Sequence, residues 1–384
     1  VLNFLLLMLV PLIIALVTLF AFKGKVVFWE FAAQVGVIAL FIAVSLGIAY
    51  ESRTTDTEVW NGQVTAKKRN EVSCRHSYQC NCHEDCSDSG SNRSCTEHCD
   101  TCYEHSYDVD WDVYASTNES TSIDTIDRQG LDMPPRWGKA YLGEPWASEH
   151  NYTNYILANP DSVLLGTKGD MVRFGKMIPK YPSSIYDYYY NNPVINMGVP
   201  NVQLDTWNWL IRDINKTLGP KKQVHIIVIL VPTNDRSYML ALKDAWVGGK
   251  KNDVDVVIGS ADGNKIDFAD VLSWSTNKAL AVDLRDEIQD IGSLGQKDAI
   301  VGAINGTVEK DFVRMHMKDM KWLMRSFQPS QTSMIVIFIL ATLISLGLSI
   351  WAVMADIGED DLGDDSYGHR RFAARIKYNR YGGY

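Results

Sequence analysis

All seven cysteines and four of the eight histidines of this chain fall within one stretch, Cys74 to His105. The thiols of Cys74, Cys80, Cys82, Cys86, Cys95, Cys99 and Cys102 follow the pattern C-x5-C-x-C-x3-C, a gap of eight, then C-x3-C-x2-C. His76, His83, His98 and His105 are interleaved with them. Structural zinc takes four nitrogen or sulfur ligands from close pairs on two segments. Seven thiolates and one imidazole, with His76 and His98 the first candidates, would fill two such sites. A disulfide framework is the competing reading if the segment lies in an oxidising compartment. An odd number of thiols then leaves one unpaired after three bridges, and a mixture of bridges and metal is the third reading. Cys80 and Cys82 are too close to bridge each other easily. In every case the role is structural, because a catalytic zinc keeps an open position.

A second set of ligand types is made of carboxylates. Asp235, Asp253, Asp255 and Asp262 flank the ends of expected strands, where open α/β sheets place ligands. Several oxygens gathered there would suit calcium or magnesium, and solvated turn aspartates explain the same residues. The chain has no GxSxG, HExxH, Walker A or GxGxxG pattern. His225, inside an apolar run, reads as a core histidine rather than a base.

These residues need elements to position them. From Val202 onward the pattern alternates helix and strand. "VQLDTWNWLIRDINKTL" sets Leu204, Trp207, Leu210, Ile211 and Ile214 on one helical face, and "QVHIIVILVP" is continuously apolar, as a buried central strand is. The helix "SYMLALKDAWV" stops at Gly248 and Gly249. Two strands follow around Asp262-Gly263, then helices over "NKALAVDLRDEIQDI" and "KDAIVGAINGTVEKDFVRM". This predicts a layered α/β domain over 202–328. Residues 51–201 are irregular by comparison, with a strand at Tyr107–Ala115 and prolines that forbid long elements nearby, and predict a Cys/His-rich loop or β module. Lys310, Arg314, Lys318, Lys321 and Arg325 would share one face of a last helix, against lipid headgroups or simply wet.

Three apolar runs, 1–22, 27–50 and 333–355, approach the length that crosses a bilayer. The first lacks a basic leader segment and a small-residue cleavage site, so it reads as a retained span. Lys23 and Lys25 in the turn between the first two runs predict a cytoplasmic turn. The central block then lies outside the cytoplasm, and the basic tail at 356–384 lies inside. With only Glu30 charged, the spans read as anchors rather than a transport path. Ala39, Ala43 and Gly47, and Ala341, Ser345 and Ser349, form small-residue rows suited to close helix packing within the chain or between copies. A net charge of -9 and the absence of a phosphate-tracking basic face or an aromatic-and-basic RNA motif argue against nucleic acid. Partners are therefore expected to be the bilayer and other membrane or envelope proteins.

The run from Val202 to Arg325 resembles the TPM domain. The likeness rests on a strand ending in Val231-Pro232, then Trp246, Gly248, Gly249, Lys250, Lys251 and Asp253, then the strand Val254 to Ile258. The turn "SADGNK" departs from the family's usual transition. The resemblance implies an extracytoplasmic α/β/α domain followed by a membrane helix, and an accessory role in membrane-complex assembly or maintenance. It also implies divalent-metal binding and, as an alternative activity, a metal-dependent phosphatase. The Cys/His segment with "YDVDW", "DRQG" and "PPRW" is similar to membrane proteins of large tailed bacteriophages, which would place the chain in a host inner membrane.

Overall fold

The computed structural model describes residues 2–23, 25–89, 92–159, 168–326 and 329–355. The basic tail at 356–384 lies outside the described residues, as does the side chain of Arg325. The chain divides into two compact units, one made of Val1–Thr55 with Met324–Tyr384 and the other of Asp56–Leu323.

The first unit contains α1 (Leu2–Ala21), α2 (Phe28–Thr54) and α9 (Gln331–Ala355). All three are long and apolar enough to cross a membrane. Leu7, Ile38, Ile42, Ala49, Ile337 and Ala341 form their common core. Outward, Leu9, Ile13, Leu40, Ile48, Leu343 and Ile350 are exposed, a surface that suits lipid rather than water. Ala341, Ser345 and Ser349 of α9 are buried in this packing. The equivalent row on α2 does not pack, since Ala43 and Gly47 face outward and a Cβ on Gly47 would touch nothing. Gln34 takes its place. Its Nε2 donates to the Ser345 carbonyl at 3.0 Å and to Ser349 Oγ at 2.9 Å, while Ser345 Oγ donates to the Pro11 carbonyl at 3.0 Å. A buried amide in an apolar bundle needs such partners.

The second unit is mixed α/β. One sheet has the order β5-β4-β1-β6, from β1 (Thr55–Val72), β4 (Asp108–Ala115), β5 (Ser120–Ile123) and β6 (Pro145–Thr153). Its alternating inward residues, Val109, Trp111, Val113 and Ala115, pack with Val64, Trp146 and Tyr189, the period-2 pattern of a strand with one buried face. The short α3 (Pro135–Lys139) lies beside it, with Trp137 against Trp111 at 4.7 Å between rings.

The other sheet has the order β10-β9-β8-β7, from β7 (Val194–Asn196), β8 (His225–Val231), β9 (Asp253–Gly259) and β10 (Phe268–Ser273). The first three strands are parallel and β10 is antiparallel. On one face Ile226, Val228, Leu230, Val254, Val256 and Ile258 pack with α5 (Leu204–Lys222), α7 (Ala279–Ile291) and α8 (Lys297–Asp311). On the other, Ile227, Ile229, Val231 and Val257 meet α6 (Tyr238–Ala245) and Phe174 of α4 (Lys168–Phe174). Because β7, β8 and β9 run in order while α5 and α6 cover opposite faces, their two crossovers have opposite hands. One of them is therefore left-handed, against the strong general preference.

The two sheets belong to one unit, so the expected boundary near residue 201 falls inside it. Asn252 Nδ2 donates to the Val59 carbonyl at 2.8 Å, and β1 approaches α5 so closely that a Cβ on Gly219 would lie 2.4 Å from the Asn61 carbonyl. The expected basic helical face does not form. Phe312, an extended C-cap buried in the core, ends α8 at Asp311. Arg314 then turns to Glu58 and Gln223.

The remaining strands, β2 (Ser77–Ser89) and β3 (Asn92–Tyr103), form a separate antiparallel ribbon. At about 3.3 Å per residue, it is an arm about 40 Å long.

Candidate functional site

The arm settles most of the cysteines. Cys80 bonds to Cys102, Cys82 to Cys99 and Cys86 to Cys95. These nested pairs follow the ladder, in which Cys86 faces Cys95 directly. Two further clusters, Cys82-Glu97-Cys99 and Glu84-Cys86-Cys95, bring ligand types together, but their sulfurs are committed to disulfides. Six of the seven candidate zinc thiolates are thus removed from the ligand set. His98 is removed by position, since it lies on the arm opposite His83, with both rings facing Asp85 at 3.8–3.9 Å.

Cys74 is the free thiol, and it is buried. It stands where the arm joins the sheet. The β1–β4 ladder ends with Val72 opposite Asp108, and the arm's ladder begins with Ser77 opposite Tyr103. Four-residue segments, 73–76 and 104–107, cross this waist, held by the Glu104 amide donating to the His76 carbonyl at 3.0 Å. Cys74 Sγ, one nitrogen each of His76 and His105 and a carboxylate oxygen of Asp108 gather there within 4.8 Å of one another. His76 Nδ1 lies 3.4 Å from Asp108 Oδ2 and His105 Nδ1 lies 3.4 Å from Asp108 Oδ1. Cys74 Sγ is 3.7 Å from His105 Nδ1. The Arg75 amide donates to Asp108 Oδ2 at 2.8 Å and, with other contacts, holds its carboxyl below the usual range. His76 Nδ1 and Asp108 Oδ1 are buried without a hydrogen-bond partner. These four residues could hold a metal ion.

Of this set the sequence pattern singles out Cys74 and His76. His105 is visible as a ligand type, but Asp108 reads only as a polar position in an alternating strand. Its part depends on the β1–β4 register.

The four aspartates do not come together. Asp235 and Asp262 follow β8 and β9 at their carboxyl ends, while Asp253 and Asp255 open β9 at the other end, about 20 Å away for a seven-residue strand. Asp235 accepts from the Ser237 amide at 2.9 Å and pairs with Arg173, which hold its pKa down. Asp262 caps its own turn, accepting from the Asn264 and Lys265 amides at 2.8 Å. Both behave as turn aspartates.

Asp253 and Asp255 are buried, and burial raises both carboxyls above their usual range. Asp253 accepts from Tyr181 Oη at 3.0 Å and from the Lys250 amide at 2.7 Å, and neither oxygen of Asp255 has a partner. Gly249, at φ +72°, permits this closeness, since a Cβ there would lie 2.7 Å from Asp255 Oδ2. The lysines of this segment answer β1, with Lys250 on Asp56 and Lys251 at 3.4 Å from Glu58. His225 is fully buried, its Nδ1 is 2.9 Å from Asn61 Nδ2, and burial lowers its pKa to about 3. It is a neutral core histidine.

No protein-family model, no curated protein and no solved structure matches this chain.

Proposed function

We propose that this is a membrane-anchored interaction protein that presents the disulfide-clamped arm, outside the cytoplasm, to another membrane or envelope protein. One observation carries the reading. No side chain described on the arm, over residues 77–86 and 95–103, is buried, although three disulfides hold its shape. A rigid element that contributes nothing to its own core is suited to contact something else, because its ordering cost has been met before binding. Tyr78 and Tyr103 are more than half exposed near its base, the amphipathic residue type enriched at interfaces.

The rest of the reading rests on separate supports. Three helices apolar enough to span a membrane support the anchor. The disulfides favour an oxidising compartment, and Lys23 with Lys25 favours a cytoplasmic turn between the first two helices. The resemblance of residues 202–325 to the TPM domain favours an accessory role in assembling or maintaining a membrane complex. The similarity to tailed-phage membrane proteins favours a host inner membrane. The phosphatase alternative is weaker, because Asp235 and Asp253 sit at opposite ends of the sheet.

A photo-crosslinking residue at Tyr78 or Tyr103 of the full chain in native membranes tests this. Discrete adducts of one added mass are expected from both positions. Adducts from a control position such as exposed Trp209, with none from the arm, would overturn it.

A further inference from the structure

We propose that Cys74, His76, His105 and Asp108 bind one zinc ion at the waist between sheet and arm. The inference goes beyond the contact role, since it holds whatever the arm touches.

The distances suit a small ion. Zinc bonds of about 2.0–2.3 Å in a tetrahedron set its ligand atoms about 3.3–3.7 Å apart. At the waist His76 Nδ1 and His105 Nδ1 each lie 3.4 Å from a different oxygen of Asp108, and Cys74 Sγ is 3.7 Å from His105 Nδ1. One ligand atom from each of the four residues falls within 4.8 Å of the others, so a small inward shift closes the set on one ion. An N–H···O hydrogen bond would draw the imidazoles to about 2.7–3.2 Å. His76 Nδ1 and Asp108 Oδ1 are buried without a hydrogen bond, and both are atoms that can bond a metal. A buried polar atom without a partner is costly, and a cation removes that cost for both at once. Donor chemistry narrows the metal, since one thiolate and two imidazoles exclude calcium and magnesium and suit zinc.

The surroundings fit. Cys74 and Asp108 are buried while the two histidines remain partly open, which leaves a path for entry. The Arg75 amide orients the Asp108 carboxylate from outside the ligand set, as outer-shell donors do at metal sites. On binding, the Cys74 thiol gives its proton to solvent and its sulfur bonds the metal as thiolate. Four protein ligands leave no open position, so the ion is structural. It would tie segment 73–76 to segment 104–108 and fix the angle at which the arm leaves the sheet.

The full chain, purified in detergent and stripped with chelator, should take up one zinc or one cobalt(II) per chain. Cobalt should show tetrahedral absorption with a thiolate charge-transfer band. Cys74→Ser and His105→Gln should each weaken uptake by at least about 10-fold, the lower end of the cost of losing even an outer-shell partner. His83→Gln with His98→Gln should leave it unchanged. Retention of all three disulfides shows that each variant still forms the arm. Wild type gives a further readout, because zinc should slow alkylation of Cys74, the one thiol outside the disulfides. No uptake, no thiolate band, loss that follows His83 and His98 instead, or alkylation indifferent to zinc would each overturn the proposal.

Discussion

Asp253 and Asp255 lie two residues apart on β9, and both turn their carboxyls toward Gly249, closed off from solvent. Burial is the largest cause of their raised pKa values, to about 7 for Asp253 and well above the usual carboxylate range for Asp255, whose neighbour's charge adds to the effect. In the unfolded chain both ionise near 3.8. Between those values the folded protein binds more protons than the unfolded one, so stability is fully present only below about 3.8 and falls as pH rises from there through about 7. The urea midpoint of the full chain in micelles, followed by tryptophan fluorescence, should be lower at pH 8 than at pH 5. Asp255→Asn should reduce that drop and stabilise the protein at pH 8, because it removes the charge that burial and Asp253 disfavour. A midpoint that stays level or rises from pH 5 to pH 8 would contradict the account.

Gln34 makes the polar contact of α2 with α9, and the small residues of α9 allow the approach. Gln34→Ala should weaken the helix bundle by about 1 kcal/mol, within the range of interhelical hydrogen bonds in membranes. Ala341→Leu, at a fully buried position, should cost about 1–3 kcal/mol by overpacking. Gly47→Leu should be tolerated. Unfolding of the chain in mixed micelles orders the three, and a larger loss from Gly47→Leu than from Ala341→Leu would show that the outward face of α2 is packed.

The strands and helices after Val202 are legible because their apolar residues carry the period themselves, as in the run His225 to Val231 and the face of Trp207, Ile211 and Ile214. β1 is not legible in that way. Its outer half carries Lys67, Lys68, Arg69, Asn70 and Glu71, and pairing with β4 makes it a strand. The arm is rich in Ser, Asp and Asn, poor strand formers, and cross-links supply the order that propensity does not. The nested cysteine spacing around the gap of eight carries that signal, once read as a hairpin. The waist site is half legible: Cys74 and His76 announce themselves as ligands, whereas Asp108 requires the register that sets it opposite Val72. Gln34 escapes a search for charged residues in the spans, because an amide signals only by the partners it finds.

Glu144 is buried and accepts from Tyr189 Oη at 2.6 Å, from Tyr190 Oη and from Arg136 at 3.2 Å. Arg136 also lies 4.4 Å from the Tyr189 ring centre. This knot joins α3, the segment ahead of β6 and the tyrosines near 190. Glu144→Ala should cost about 3–5 kcal/mol, as removing one partner of a buried ion pair does, and Tyr189→Phe about 1 kcal/mol. Equilibrium urea unfolding of the full chain reads both. Equal effects would mean that the charge is not what holds the knot.

The outermost bridge of the arm, Cys86–Cys95, closes a loop of sequence separation 9, which suggests about 2–3 kcal/mol on the chain-entropy scale. That value should not appear in the stability of the second unit, because no described side chain of the arm is buried against it. Replacing both cysteines with serine should therefore leave its urea midpoint within about 0.5 kcal/mol, as for surface changes generally, while the arm beyond His83 and His98 opens locally. Limited proteolysis separates the two effects. Cleavage should move into residues 84–97 and accelerate, with no new cuts in β8 or β9. New cuts in those strands, or a lowered midpoint, would show that the arm supports the fold.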